Sequence, residues 1–182
     1  MNRLIKVSLG VLLLACLAII SAKAWTKAEC ATFSSHGLQE RYVYGGACGW
    51  TDNNAWGTIC QIPCQNPPAE GVDCSEFVDR SYAIPQVFGE HDCTSHHYAT
   101  GSLYGGVSGT VYLGSTIASA KTCQWCFWVS DSYGHCGLIP TWNSTQLESR
   151  EARGSLYGIV QLYRDNSYYT GGTAKFFKHS GW

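Results

Sequence analysis

The stretch Gly71-Val-Asp-Cys-Ser-Glu-Phe-Val-Asp-Arg-Ser-Tyr82 sets a cysteine where a helix begins. It follows the turn-forming run Pro67-Pro68-Ala69-Glu70. Asp73 has the short polar side chain of a good N-cap, and Glu76 is spaced three residues on to reach back in a capping box. Phe77, Val78 and Tyr82 form a helical apolar face, and Ile84-Pro85 ends the helix. Cys74 therefore takes the first helical position. There the unpaired backbone N–H groups and the positive end of the helix dipole stabilise a thiolate, which raises the fraction present as nucleophile at neutral pH. The alternative is a half-cystine lying near a cap. The compartment and the cysteine count bear on that choice.

Residues 1–24 read as a secretory signal: Arg3 and Lys6 precede an apolar run from Val7 to Ile20, and Ala22-Lys23-Ala24 is a small-x-small cleavage pattern. The run is short for a membrane span. Leu13-Leu14-Ala15-Cys16 loosely resembles a lipoprotein box, but Leu17 to Ile20 stays hydrophobic where a lipid-anchored chain turns polar. Cleavage after Ala24 leaves one domain, 25–182, of 158 residues, long enough for a real core. The signal holds three of the twelve basic residues and none of the thirteen acidic ones, so the mature charge is −4 with histidine neutral. No basic run exceeds two residues, which argues against nucleic acid or an anionic membrane as partner. A monomer secreted to an extracellular or periplasmic space is expected, with no metal or organic cofactor.

Of the ten cysteines, Cys16 leaves with the signal and nine remain. In an oxidising compartment cysteines pair, and an odd number leaves at least one thiol that is reactive or intermolecular. Cys60-x-x-x-Cys64 and Cys123-x-x-Cys126 also have spacing found in zinc sites, and Cys123-Gln-Trp-Cys126 has that of a redox pair, but disulfides are the ordinary fate of such residues in an exported chain. The spare thiol, set at a helix start, points to Cys74.

A thiolate hydrolase needs a group that takes a proton and returns it to the leaving amine, which histidine does near neutral pH. Among His36, His91, His96, His97, His135 and His179, His135 stands out. Gly134-His-Cys-Gly-Leu-Ile139 reads as a short strand with small residues flanking the ring. Trp142 to Thr145 reads as a turn, and Gln146 to Arg153 as a second strand. His96-His97 lacks a third metal ligand and is assigned to a loop, while His179 lies in the tail. His97-Tyr-Ala-Thr-Gly-Ser-Leu103 reads as a second helix start, lying at a cleft rim being the rival. The repeated Gly-Ser-Leu-Tyr-Gly at 101–105 and 154–158 is too short to signal duplication.

Together, "RYVYGG" (41–46), "GVDCSEFV" (71–78), "GHCGLI" (134–139) and "LESREARG" (147–154) resemble, in order, the motifs of the NlpC/P60 family of cell-wall cysteine peptidases. The resemblance spans most of the mature chain and is specific at the first three motifs. It implies an α+β, papain-like fold with the nucleophile helix packed on an antiparallel sheet. By position Cys74 is then the nucleophile, His135 its base, and Glu151 the residue orienting the imidazole, with Ser149, on the same face of the strand, as fallback. Tyr42 matches the family's tyrosine beside the nucleophile, and the Cys74 N–H is an oxyanion donor. Three departures stand out. Glu76 replaces the usual glycine, and its charge opposes a thiolate unless it is engaged in capping. "KTCQWCFW" (121–128) stands where a Pro-Gly-Asp segment is usual. The interval from Gly46 to Gly71 is long and carries Cys48, Cys60 and Cys64.

The resemblance implies hydrolysis of an amide bond in peptidoglycan stem peptides, either D-Glu–diamino acid or sugar–peptide. A non-catalytic module binding wall fragments on the same scaffold is the alternative. A thiol oxidoreductase using Cys123 and Cys126 is the third reading.

Overall fold

The computed structural model describes residues 26–38, 42, 44, 47–48, 71–84, 98–132, 134–170 and 173–182. The expected signal at 1–24, Cys60, Cys64, Cys93, His91, His96, His97 and most of the interval between Gly46 and Gly71 lie outside the described residues. Among those described, no helix is long and apolar enough to cross a membrane.

The architecture is α+β, centred on an antiparallel six-stranded sheet. In chain order the elements are α1 (Lys27–His36), β1 (Ala47–Cys48), β2 (Gly71–Val72), α2 (Cys74–Tyr82), α3 (Thr100–Gly105), β3 (Thr110–Gly114), α4 (Ile117–Ala120), β4 (Cys126–Ser130), β5 (His135–Ile139), β6 (Gln146–Gly154), β7 (Gly158–Asp165), α5 (Asn166–Thr170) and β8 (Ala174–His179). The six strands run in the order β3-β8-β4-β5-β6-β7, so β8, the latest in chain order among the described strands, is inserted between β3 and β4. β1 and β2 form a separate small pair.

β4 is buried along all five residues, Cys-Phe-Trp-Val-Ser, because both sides of the sheet are covered there. Phe127, Val129, Cys136, Leu138 and Phe177 pack with Phe77, Val78 and Tyr82 of α2. The Phe127 ring stacks on Phe177 and meets Tyr82 edge-on, with centroids 5.2 and 5.1 Å apart. On the other side Cys126, Trp128, Ile139, Leu147 and Phe176 pack with Ala120 of α4 and Tyr169 of α5. Cys74 and Cys136 thus belong to the side covered by α2, while Trp128 belongs to the other.

The predicted helix at Cys74 starts one residue after Asp73, whose carboxylate accepts from the N–H groups of Ser75 and Glu76. It ends at Tyr82, with Ala83 in the left-handed region (φ 50°) as C-cap. Every residue of α2 is buried, so the helix is a central member of the core rather than a surface helix. The Glu76 carboxylate, expected to reach back to the cap, pairs one turn onward with Arg80 at 2.7 Å, both side chains at 1% exposure or less. That pairing places the charge of Glu76 opposite a guanidinium. The two predicted strands are β5 and β6. His179, assigned from sequence to the tail, is instead a buried residue of β8 whose ring packs on Trp182. Adjacent Phe176 and Phe177, one buried on each side of the sheet, are what hold this segment in it.

Candidate active site

The helix cap puts Cys74 at the N-terminus of α2, where it is 6% exposed. From β5 comes His135, and from the next strand, β6, Glu151. His135 Nε2 lies 2.9 Å from Glu151 Oε2. With Nε2 committed to the carboxylate, Nδ1 is the nitrogen left for the thiol, and the imidazole and the Cys74 thiol each shift the other's protonation. The structure therefore brings together Cys74, His135 and Glu151 from three elements far apart in sequence.

Each member of the set has its protonation displaced. The Cys74 thiol is lowered to about 5, first by a hydrogen bond from the neighbouring Cys136 thiol, and then, against the penalty of burial, by the bond to His135 and its charge. Burial alone pushes the His135 imidazole down, but its bonds to Cys74 and Glu151 outweigh that and raise it to about 9. Glu151 is fully buried, which on its own favours the neutral acid; the Arg164 guanidinium and then His135 reverse this and hold it at about 2. Near pH 7 the three are thiolate, imidazolium and carboxylate.

Arg164, on β7, was not singled out in the sequence. Its Nε donates to Glu151 Oε1 at 2.7 Å and its second nitrogen to Oε2 at 2.5 Å, a two-pronged grip that fixes the carboxylate plane. Its guanidinium carbon lies 3.9 Å from the centre of the Tyr168 ring. A signal was present: Val160, Leu162 and Arg164 alternate along β7, so an arginine continues an otherwise apolar face. Cys136 is the second residue that sequence reasoning did not assign to the site, although it adjoins His135.

The small residue after Cys136 has a specific cause. A Cβ on Gly137 meets the Arg150 carbonyl, the Glu151 Cβ and the Trp128 indole nitrogen, each at 3.0 Å. The space read from sequence as room beside His135 is thus filled from both neighbouring strands. Trp128 packs edge-on against the His135 ring, centroids 5.4 Å apart, and its indole N–H donates to Ser149 Oγ at 3.2 Å. Ser149, the fallback partner for the imidazole, is engaged there, and Glu151 is the residue at His135.

Tyr42, half-buried, bridges to Val72 two residues before Cys74. Burial raises its phenol to about 12, and the next largest cause is the charge on Cys74, so Tyr42 belongs to the same site. Thr100 begins α3 and sets its hydroxyl 3.8 Å from the Cys74 sulfur; the Gly134 carbonyl lies at the same distance. The segment read as a second helix start is therefore both that and a wall of the site.

All five cysteines whose side chains are described, Cys30, Cys74, Cys123, Cys126 and Cys136, carry free thiols. Counting alone does not single out Cys74; its surroundings do. Burial raises the Cys126 thiol, with the nearby Cys123 adding to it, the opposite of what a reactive redox pair requires. Among the described residues no group of three or more histidine, cysteine or acidic side chains could hold a metal. No family model matches the chain, and no curated protein or solved structure is significantly similar to it.

Proposed function

We propose that the chain is an exported cysteine hydrolase of the NlpC/P60 type, with a papain-like fold, cleaving an amide bond in peptidoglycan stem peptides. One observation carries this reading: a helix-terminal thiol lowered to about 5 beside an imidazole raised to about 9 that is held from behind by a buried carboxylate. The motifs resembling that family supply the substrate class.

In this reading the Cys74 sulfur attacks the scissile carbonyl and its π electrons move to oxygen. The Cys74 backbone N–H and the Tyr42 hydroxyl donate to the oxyanion. Collapse of the tetrahedral species breaks the C–N bond, and His135 gives its Nδ1 proton to the departing amine. Neutral His135 then takes a proton from water, whose oxygen adds to the thioester carbon, and the Cys74 thiolate leaves with restoration of the ion pair. Glu151 stabilises the imidazolium and fixes its tautomer, and Arg164 holds Glu151.

Cys74→Ala is the test. The variant is expected to fold with an unchanged melting temperature within a few degrees and to release no soluble muropeptides from purified sacculi. Continued digestion by that variant would falsify the assignment.

A further inference from the structure

Beyond the C-terminal end of α3 lies a cavity of about 350 Å³, bounded by Tyr104, Val107, Tyr112, Lys175 and Phe177 and by the backbone of Gly105 and Gly106. Its relation to the nucleophile is fixed twice. Thr100, at one end of α3, touches the Cys74 sulfur, while Tyr104 and Gly105, at the other end, line the cavity. Six residues of helix separate the two by roughly 8 Å. Across the sheet, Cys136 pairs with Val129 and Val129 with Lys175 in one row, so Lys175 stands two strand spacings, about 10 Å, from Cys136, the free thiol neighbouring Cys74. Residues in such a row share one face of the sheet, the side covered by α2.

Lys175 is held in place by uncharged partners among the described residues. Its ammonium donates to the Tyr104 carbonyl at 3.1 Å and sits 3.9 Å from the centre of the Tyr104 ring. Tyr112 flanks it at 6.0 Å. Among the described residues no carboxylate pairs with it. An ammonium has three donors, and one is committed to the carbonyl. The remaining donors, with an apolar wall of Phe177 and Val107, suit an anion carried on a short aliphatic stem.

We propose that this cavity is a substrate subsite that binds the terminal carboxylate of the peptide being cleaved. The proposal rests on the hydrolase reading and deepens it. An extended peptide covers about 3.3–3.6 Å per residue, so a carboxylate in the cavity belongs about three residues from the scissile carbonyl. The enzyme therefore reads the free end of a stem peptide and favours wall material that is not cross-linked there.

Equilibrium binding to the full mature chain carrying Cys74→Ala separates the two readings. The probes are one synthetic stem pentapeptide ending in a free carboxylate, three residues beyond the D-Glu carbonyl, and the same peptide ending in an amide. The acid is expected to bind about tenfold more tightly than the amide. Lys175→Met removes that preference while leaving amide binding unchanged, which also reports that the variant is folded, and Lys175→Arg retains it. Equal binding of the two peptides, or a preference that survives Lys175→Met, overturns the proposal. Digestion of sacculi by the unmodified chain is scored in parallel. Digestion without the acid preference defeats the subsite alone; the preference without digestion defeats the hydrolase reading and leaves the subsite standing.

Discussion

His135 commits Nε2 to Glu151 and leaves Nδ1 as the nitrogen available to the thiol, and the proposed chemistry of the site follows from that division. The proposed hydrolysis requires ionised Cys74 and protonated His135. Protonation of Cys74 removes it as pH falls through about 5, and deprotonation of His135 removes it as pH rises through about 9. A plot of kcat/KM against pH is therefore expected to be a broad bell with limbs near those values. Glu151→Gln deletes the negative charge that helps to keep His135 protonated, so the alkaline limb moves to lower pH, with kcat reduced. Cys136→Ala acts at the other limb. It removes the hydrogen bond that does most to lower the Cys74 thiol, so the acidic limb moves to higher pH while the alkaline limb shifts less. Alkylation rates of Cys74 measured across the same pH range test this shift without any substrate. Glu151 was legible in the sequence through the family-like motif at 147–154, with Ser149 on the same strand face as fallback. Cys136 was not, because alternation sends it to the opposite side of the strand from His135; only the docking of α2 brings the Cys74 thiol to it.

At the scale of single elements, α2 and the β5–β6 pair carry the site, and both were readable. An Asp cap, an apolar helical face and a following Ile-Pro define a helix by local physics alone, and a glycine-bracketed run of alternating residues defines a strand. The pentapeptide Gly-Ser-Leu-Tyr-Gly shows where such reading stops. At 101–105 it lies within α3, and at 154–158 it makes the turn joining β6 to β7, with Gly154 and Gly158 at positive φ. Its local preference is weak, and the flanking strands decide the second copy whereas burial of Leu103 anchors the first. The Glu76–Arg80 pair within α2 belongs to this scale too. Both charges are buried, and removal of one leaves the other to bear its desolvation cost. Glu76→Ala is expected to destabilise the protein by about 3 kcal/mol, read as a lower midpoint in urea, with loss of the acid-side reactivity of Cys74 only where the helix melts. On β5, Gly137→Ala pushes against Trp128 and Glu151 and is expected to lower kcat more than stability, since the Glu151–His135 contact is what must give way.

For the whole molecule, the fold class was legible and the strand order was not. Motif order along the chain says nothing about which strand lies beside which. The insertion of β8 between β3 and β4 depends on contacts between residues more than forty positions apart, Phe177 with Phe127 and with Tyr112. Arg164 escaped notice for the same reason, since its partner lies on the neighbouring strand and is found only once the register of β6 and β7 is known. Deleting the chain from Ala174 onward is expected to abolish cooperative unfolding, because it leaves β3 and β4 without their shared neighbour and uncovers Phe127 and Tyr82. Loss of the near-UV circular dichroism of the aromatic core is the measurement that checks this.

The place of that final strand also governs when reactivity arises. A nascent chain holds Cys74, His135, Glu151 and Arg164 well before Ala174 is synthesised, yet the platform that aligns them is still open in its middle. Their alignment therefore waits for residues 174–179, and the Cys74 thiol lacks a closed platform until that strand is in place.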